Sequence, residues 1–147
     1  MLKKPDVFQA KKKVLAYITR QSKSSTELLI FSHRDYPEAG LQVPGGSLEA
    51  GESLEEGLIR EVKEESGLSQ FKAIQYLGES QYTAIEKEEI HLRHFFQLHF
   101  EGNGPDAFTH LVRAGEEDKG LVFQYYWVDL EPAPPLAADQ DCLLYLL

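Results

Sequence analysis

Between Gly45 and Leu68 the chain reads GGSLEAGESLEEGLIREVKEESGL, and three glutamates in it, Glu61, Glu64 and Glu65, have the spacing of a metal-binding face. Ser53 followed three residues later by Glu56 is a capping-box pattern, which predicts that a helix begins at Leu54. Gly67 is a natural left-handed stop, so the helix should run from Leu54 to Ser66. At about 100° per residue, Glu61 and Glu65 lie one above the other with Glu64 beside them. Leu58, Ile59 and Val62 fill the neighbouring arc and should face a core. Carboxylates at this spacing repel each other by a few tenths of a kcal/mol per pair, and by more where partly buried. A hard divalent cation removes the conflict, because it takes oxygen ligands in a compact cluster. Val43-Pro44-Gly45-Gly46 brings a stiff turn and two glycines to the helix entrance, where backbone can approach a metal or ligand closely.

Counted from Gly46, the pattern is Gly-x5-Glu-x7-Arg-Glu-aliphatic-x-Glu-Glu-x-Gly-aliphatic, with Glu52, Arg60-Glu61, Glu64-Glu65 and Gly67-Leu68 at the specified places. Every position of the Nudix box is filled, and the chain resembles the Nudix hydrolases. The resemblance implies an α/β/α sandwich of the α+β class, a mixed central sheet between helices. It also implies that Glu61, Glu64 and Glu65 hold Mg²⁺ or Mn²⁺ with the carbonyl of Gly45 or Gly46. Such ions bridge a diphosphate and activate the water that attacks phosphorus in line. Glu52 and Arg60 would form an orienting pair behind the ligands. Family members take their general base either from the box, here Glu61, or from a later loop. In that loop Asp106, Glu116 and Glu117 are candidates, with Glu86, Glu88 and Glu89 weaker ones.

The elements that must position this segment are legible as apolar runs. Residues 1–12 read as a loose basic lead-in, with Lys3, Lys4 and Lys11–Lys13 solvated. Strands are expected at Val14–Thr19 and at Glu27–Ser32, the second apolar on both faces and therefore central. Leu41–Val43 reads as a short strand delivering the glycine loop. Arg34 stands at the exit of the second strand, where it is either a phosphate contact or an exposed loop arginine. Further strands are expected at Lys72–Glu79, Ile90–Phe100 and Val122–Val128, with a charged loop around Glu86–Glu89. On the Ile90–Phe100 strand, alternation puts His91, Arg93, Phe95, Gln97 and His99 on one face, which could meet a base and a phosphate or could be an outer sheet face. Glu101–Lys119 reads as a long loop, and Leu136–Leu147 as a closing amphipathic helix.

The length of 147 residues suits a single domain over 1–147 with a sizeable core. One cysteine, Cys142, rules out an internal disulfide framework and favours a reducing, cytoplasmic setting. No apolar run approaches a membrane span. A net charge of −9 argues against duplex nucleic acid as partner and makes a polyanionic substrate dependent on an intervening cation. The expected partner is a small nucleotide-type diphosphate, with a homodimer admitted. Two rivals stand beside hydrolysis: a non-catalytic nucleotide-binding or regulatory module, and a chemistry like that of isopentenyl diphosphate isomerase. The isomerase needs a cysteine near the box, whereas Cys142 lies near the end of the chain.

Overall fold

The computed structural model describes Lys4 and residues 7–102, 104–115 and 118–147. Seven strands and one helix follow in the order β1 (Gln9–Gln21), β2 (Thr26–His33), β3 (Gly45–Ser47), α1 (Leu54–Ser66), β4 (Phe71–Ala84), β5 (Glu89–Phe100), β6 (Ala107–Leu111) and β7 (Val122–Asp129). They form one mixed sheet in the order β4-β5-β1-β2-β7-β6, with β3 also paired to β1. Among the described residues, only the β1–β5 pairing is parallel.

β1 is the axis of the sheet because its residues are apolar on both faces. Val14, Ala16 and Ile18 join Leu29, Phe31, Phe96, Leu98, Phe123 and Tyr125 beneath Leu58 and Val62 of α1. Leu15 and Tyr17 turn the other way, to Leu28, Ile30, Val43, Phe95 and Leu136. Fully burying Leu58 and Val62 fixes the helix on the sheet, with about 1.5–3 kcal/mol from each side chain. Ile59, expected in the same stripe, is half-buried.

Halfway along, one edge of β1 changes partner. Lys13, Val14 and Leu15 pair with Ser47, Gly46 and Gly45 of β3, while Thr19, Arg20 and Gln21 pair with β2. The glycine loop fills this fork, where the Ala16 N–H donates to the carbonyl of Pro44. The fork is therefore what sets the box glycines beside α1.

Several expected elements differ. β1 begins at Gln9, so Gln9–Lys12 belong to a strand, paired to β5, rather than to a loose lead-in. Lys11 bonds Glu89 at 2.6 Å, and Lys13 is buried with its Nζ on Ser47 Oγ. Lys3 lies outside the described residues. Leu41–Val43 makes a single bridge, Gln42 to Phe31, and the paired strand is Gly45–Ser47. In place of the charged loop, Ile85–Lys87 is a tight 3-10 turn, Glu88 follows it left-handed at φ 53°, and Glu89 starts β5. The 101–119 segment contains β6, which adds an edge strand to β7.

The C-terminal segment covers the face opposite α1, but as 3-10 turns at Ala137–Asp139 and Leu144–Leu146, not as a helix. Its carbonyls are used elsewhere: Ala138 accepts from Arg93 Nη1 and Gln140 from Tyr17 Oη. The residues expected to pack do so, with Leu136, Leu143, Leu144 and Leu147 all in the rear cluster.

Candidate active site

α1 starts and stops as its sequence dictates. The Glu56 N–H donates to Ser53 Oγ, the Ser53 N–H donates to Glu56 Oε1, and Gly67 closes the helix at φ 78°. The last turn is also held from outside. His110 Nε2 bonds the carbonyl of Glu64 at 2.8 Å, and Tyr125 Oη donates to the carbonyl of Glu65 at 2.8 Å. These two bonds satisfy carbonyls that a helix terminus leaves without an internal partner. His110 is thus a cap on α1.

Arg60 is the hub of the box. Its Nε and Nη2 form a fork on Glu52 at 2.7 and 2.9 Å, and Nη2 also reaches the carbonyl of Ser47 at 2.9 Å. Nη1 bonds Glu61 at 2.8 Å and Glu64 at 3.3 Å. Glu52 further accepts the Glu49 N–H at 2.8 Å, which locks the loop before α1 onto the helix. The Arg60 hydrogen bonds pull the Glu52 carboxyl down to about 2 and, reciprocally, hold the guanidinium charged. Glu52 and Arg60, expected as an orienting pair, meet in a bidentate ion pair, and the orienting role itself is a proposal.

Glu65 is the most buried of the three box carboxylates, 5% exposed, with Oε1 accepting the Gly45 N–H at 2.9 Å. Burial pushes its pKa well above the usual carboxylate range, and the neighbouring carboxyl of Asp118 raises it further. Burial also pushes Glu61 up to about 7, with Glu64 and Asp118 adding to the rise and Arg60 opposing it. Gly46 is required beside it: a Cβ there would lie 2.2 Å from Glu61 Oε2. Carboxyls crowded this way, with raised pKa values, are candidate cation ligands, although among the described residues no three of them stand together as a ready-made cation site.

These groups line one cleft of about 450 Å³, where Gly46, Glu61, Glu64, Glu65 and Asp118 meet Arg60, Lys11 and Lys12. The donor set fits Mg²⁺ or Mn²⁺, being hard oxygen throughout. Glu61 and Glu64 rest against Arg60, so ligation requires them to turn from the guanidinium into the cleft.

Asp118 is the residue sequence reasoning missed. It follows Glu116 and Glu117 directly, but no spacing rule ties a loop acid to a distant helix. Its place is set by the pairing that brings Leu121 back to Val112, at 2.9 Å from N to O. Glu116 and Glu117 themselves lie outside the described residues. Asp106 bonds Arg20 at 2.8 Å, and Glu89 is engaged by Lys11 and His91, so neither is placed as a base. Arg34 lies against Asp35 at 3.2 Å and lines neither depression in the sheet. Arg93 is on the sheet face away from α1, buried under the C-terminal segment, and lines a second, smaller depression behind the fork.

The model of the NUDIX domain matches residues 10–147. The chain belongs to the Nudix family. A Bacillus subtilis (strain 168) protein, YtkD, named as a candidate 8-oxo-dGTP diphosphatase, is 33% identical over 99 residues, covering 60% of this chain. The chain spans 61% of the length of that Nudix relative. Among solved structures, the MutT Nudix hydrolase of Burkholderia pseudomallei has a TM-score of 0.69 at 22% identity, covering 93% of this chain and 97% of that one. The Nudix domain of Shewanella oneidensis NrtR, solved with ADP ribose, has a TM-score of 0.67 at 18% identity, covering 97% and 90%. At these identities the structures establish the shared Nudix fold, an α-helix and a capping C-terminal layer on either side of a mixed sheet.

Proposed function

We propose that the chain is a divalent-metal-dependent hydrolase of a phosphoanhydride bond in a nucleoside diphosphate derivative or nucleoside triphosphate. The observation that carries this reading is the convergence of Glu61, Glu64, Glu65, Asp118 and Gly46 on one cleft. Glu65 and Asp118, with Glu61, Glu64 and a Gly45 or Gly46 carbonyl, would hold the cation. The ion would neutralise charge on the diphosphate and acidify the attacking water.

The chain's own residues divide the remaining work. Arg60, fixed by Glu52, holds Glu61 and Glu64 at the rim of the cleft and sets the direction from which they turn in. Glu61, a carboxylate on the wall of the same cleft, is the candidate to accept the proton of the attacking water. Lys12 on the cleft wall would supply positive charge for the outgoing phosphate oxygens, while Lys11 beside it is held by Glu89. Relatedness to YtkD makes an oxidised purine nucleoside triphosphate the first substrate to try. An isomerase reading is disfavoured, since Cys142 packs in the rear apolar cluster and lines neither depression.

The test is turnover of nucleoside triphosphates, including 8-oxo-dGTP, alongside ADP-ribose and dinucleoside polyphosphates, in ¹⁸O-labelled water with Mg²⁺. The label should appear in one phosphate-containing product, which identifies the phosphorus attacked. Metal-dependent nucleotide binding without release of any product would favour the binding-module reading instead.

A further inference from the structure

The second depression, of about 190 Å³, joins the acidic cleft through Gly46, Glu65 and Asp118. Its electrostatics are of the opposite sign. Lys13, Lys87, His91 and Arg93 line it, and Lys13, His91 and Arg93 are only 8%, 7% and 6% exposed. In a chain of net charge −9, this concentration of buried cationic and donor groups calls for a reason.

Arg93 states the problem most sharply. Its Nη1 donates to the carbonyl of Ala138, and its guanidinium lies over the Tyr82 ring at 4.1 Å. Among the described residues no carboxylate reaches ion-pair distance of it, and Asp139 acts on it from further off. Guanidinium has five N–H donors in a planar fork, so most of its capacity is uncommitted. A desolvated cation without an anionic partner is costly, and a bound anion would offset that cost. His91 beside it is oriented by Glu89, whose Oε1 lies 2.9 Å from His91 Nε2 while its other oxygen pairs with Lys11.

We propose that this notch is an anion subsite, taking a phosphate that the substrate carries apart from the phosphoanhydride under attack. This rests on the hydrolase reading only in assigning the anion to the substrate. A phosphate matches the fork of Arg93 bidentately and brings the compact charge that Lys13 and Lys87 favour. Two sources share this chemistry: a phosphate on the ribose, and the far end of a polyphosphate chain passing through the fork.

The experiment is equilibrium binding of inorganic pyrophosphate to the intact protein in chelator. Without metal no ion bridges the anion to the main cleft, and it is the loss of binding in the notch variants that assigns the site, with no turnover needed. Saturable binding is expected, weakened about tenfold by Arg93→Gln, the loss of one charge-assisted hydrogen bond. Because Arg93 also supports the C-terminal segment, Lys87→Gln provides a second variant at an exposed position, and it too should weaken binding. Adenosine 3′,5′-bisphosphate and ATP are then used as competitors. Displacement by the first identifies a ribose phosphate and by the second a chain end. No saturable binding, binding unchanged in both variants, or displacement by neither competitor overturns the proposal. Hydrolysis without pyrophosphate binding would remove the notch and leave the hydrolase; binding without hydrolysis would do the reverse.

Discussion

Metal affinity should depend steeply on pH, and the size of the effect follows from Glu61. With its carboxyl pushed up to about 7 by burial, a proton competes directly with the cation. For one competing proton the apparent dissociation constant is multiplied by 1 + 10^(7−pH), about 1.1 at pH 8 and about 11 at pH 6. Affinity for Mg²⁺ should therefore fall about tenfold between these values, about 1.4 kcal/mol. Glu65, also held above its ordinary range by burial and by Asp118, adds a second competing proton and steepens the fall. Isothermal titration in two buffers of different ionisation enthalpy reads both the constant and the protons released. The sign for the metal-free fold is the reverse of ordinary acid denaturation. Because the native state keeps the Glu61 proton longer than the unfolded chain does, stability is full below about pH 4.5 and declines as pH rises toward 7. Mg²⁺ affinity independent of pH between 6 and 8, with no protons released, would refute this reasoning.

Three further outcomes are expected. Gly46→Ala places a methyl carbon 2.2 Å from Glu61 Oε2, so Glu61 must leave its position; turnover should fall by about a hundredfold or more while circular dichroism stays native-like. Ser53→Ala removes the reciprocal cap of α1 and should cost about 1 kcal/mol, read as a lowered midpoint in urea. Glu89 is pulled down to about 2 by Lys11 and then His91, so its stabilisation is present above its ordinary pKa of about 4.5 and is lost as pH falls toward 2. Glu89→Gln should accordingly be less stable than the parent at pH 7 and indistinguishable from it near pH 2, by thermal melts.

What could be read from the sequence were the features fixed by local chemistry. The ends of α1 follow from Ser53, Glu56 and Gly67, and the burial of Leu58 and Val62 follows from helical spacing. The alternation on β5 is also local: Phe96 and Leu98 face α1, while Phe95 faces the C-terminal segment. The features that escaped depend on partners distant in the chain. Lys13 looks solvated until Ser47 is brought beside it by the β1–β3 pairing. Leu136–Leu147 has apolar residues at plausible helical positions, but Tyr17 and Arg93 take carbonyls that a helix would need. Asp118 is an ordinary loop acid until the turn after Val112 carries it to Glu65.

The account stands on Glu65 as a cation ligand in a working hydrolase, and Glu65→Gln tests that most directly. The substitution keeps the side chain's size and its acceptor for the Gly45 N–H while removing the charge. Turnover of the best substrate with Mg²⁺ should fall by at least about a thousandfold, on the scale of losing a major electrostatic contributor. The protein should stay folded, and Mg²⁺ should bind far more weakly. Near-parental turnover in Glu65→Gln, with Mg²⁺ affinity unchanged, would contradict the account at its centre.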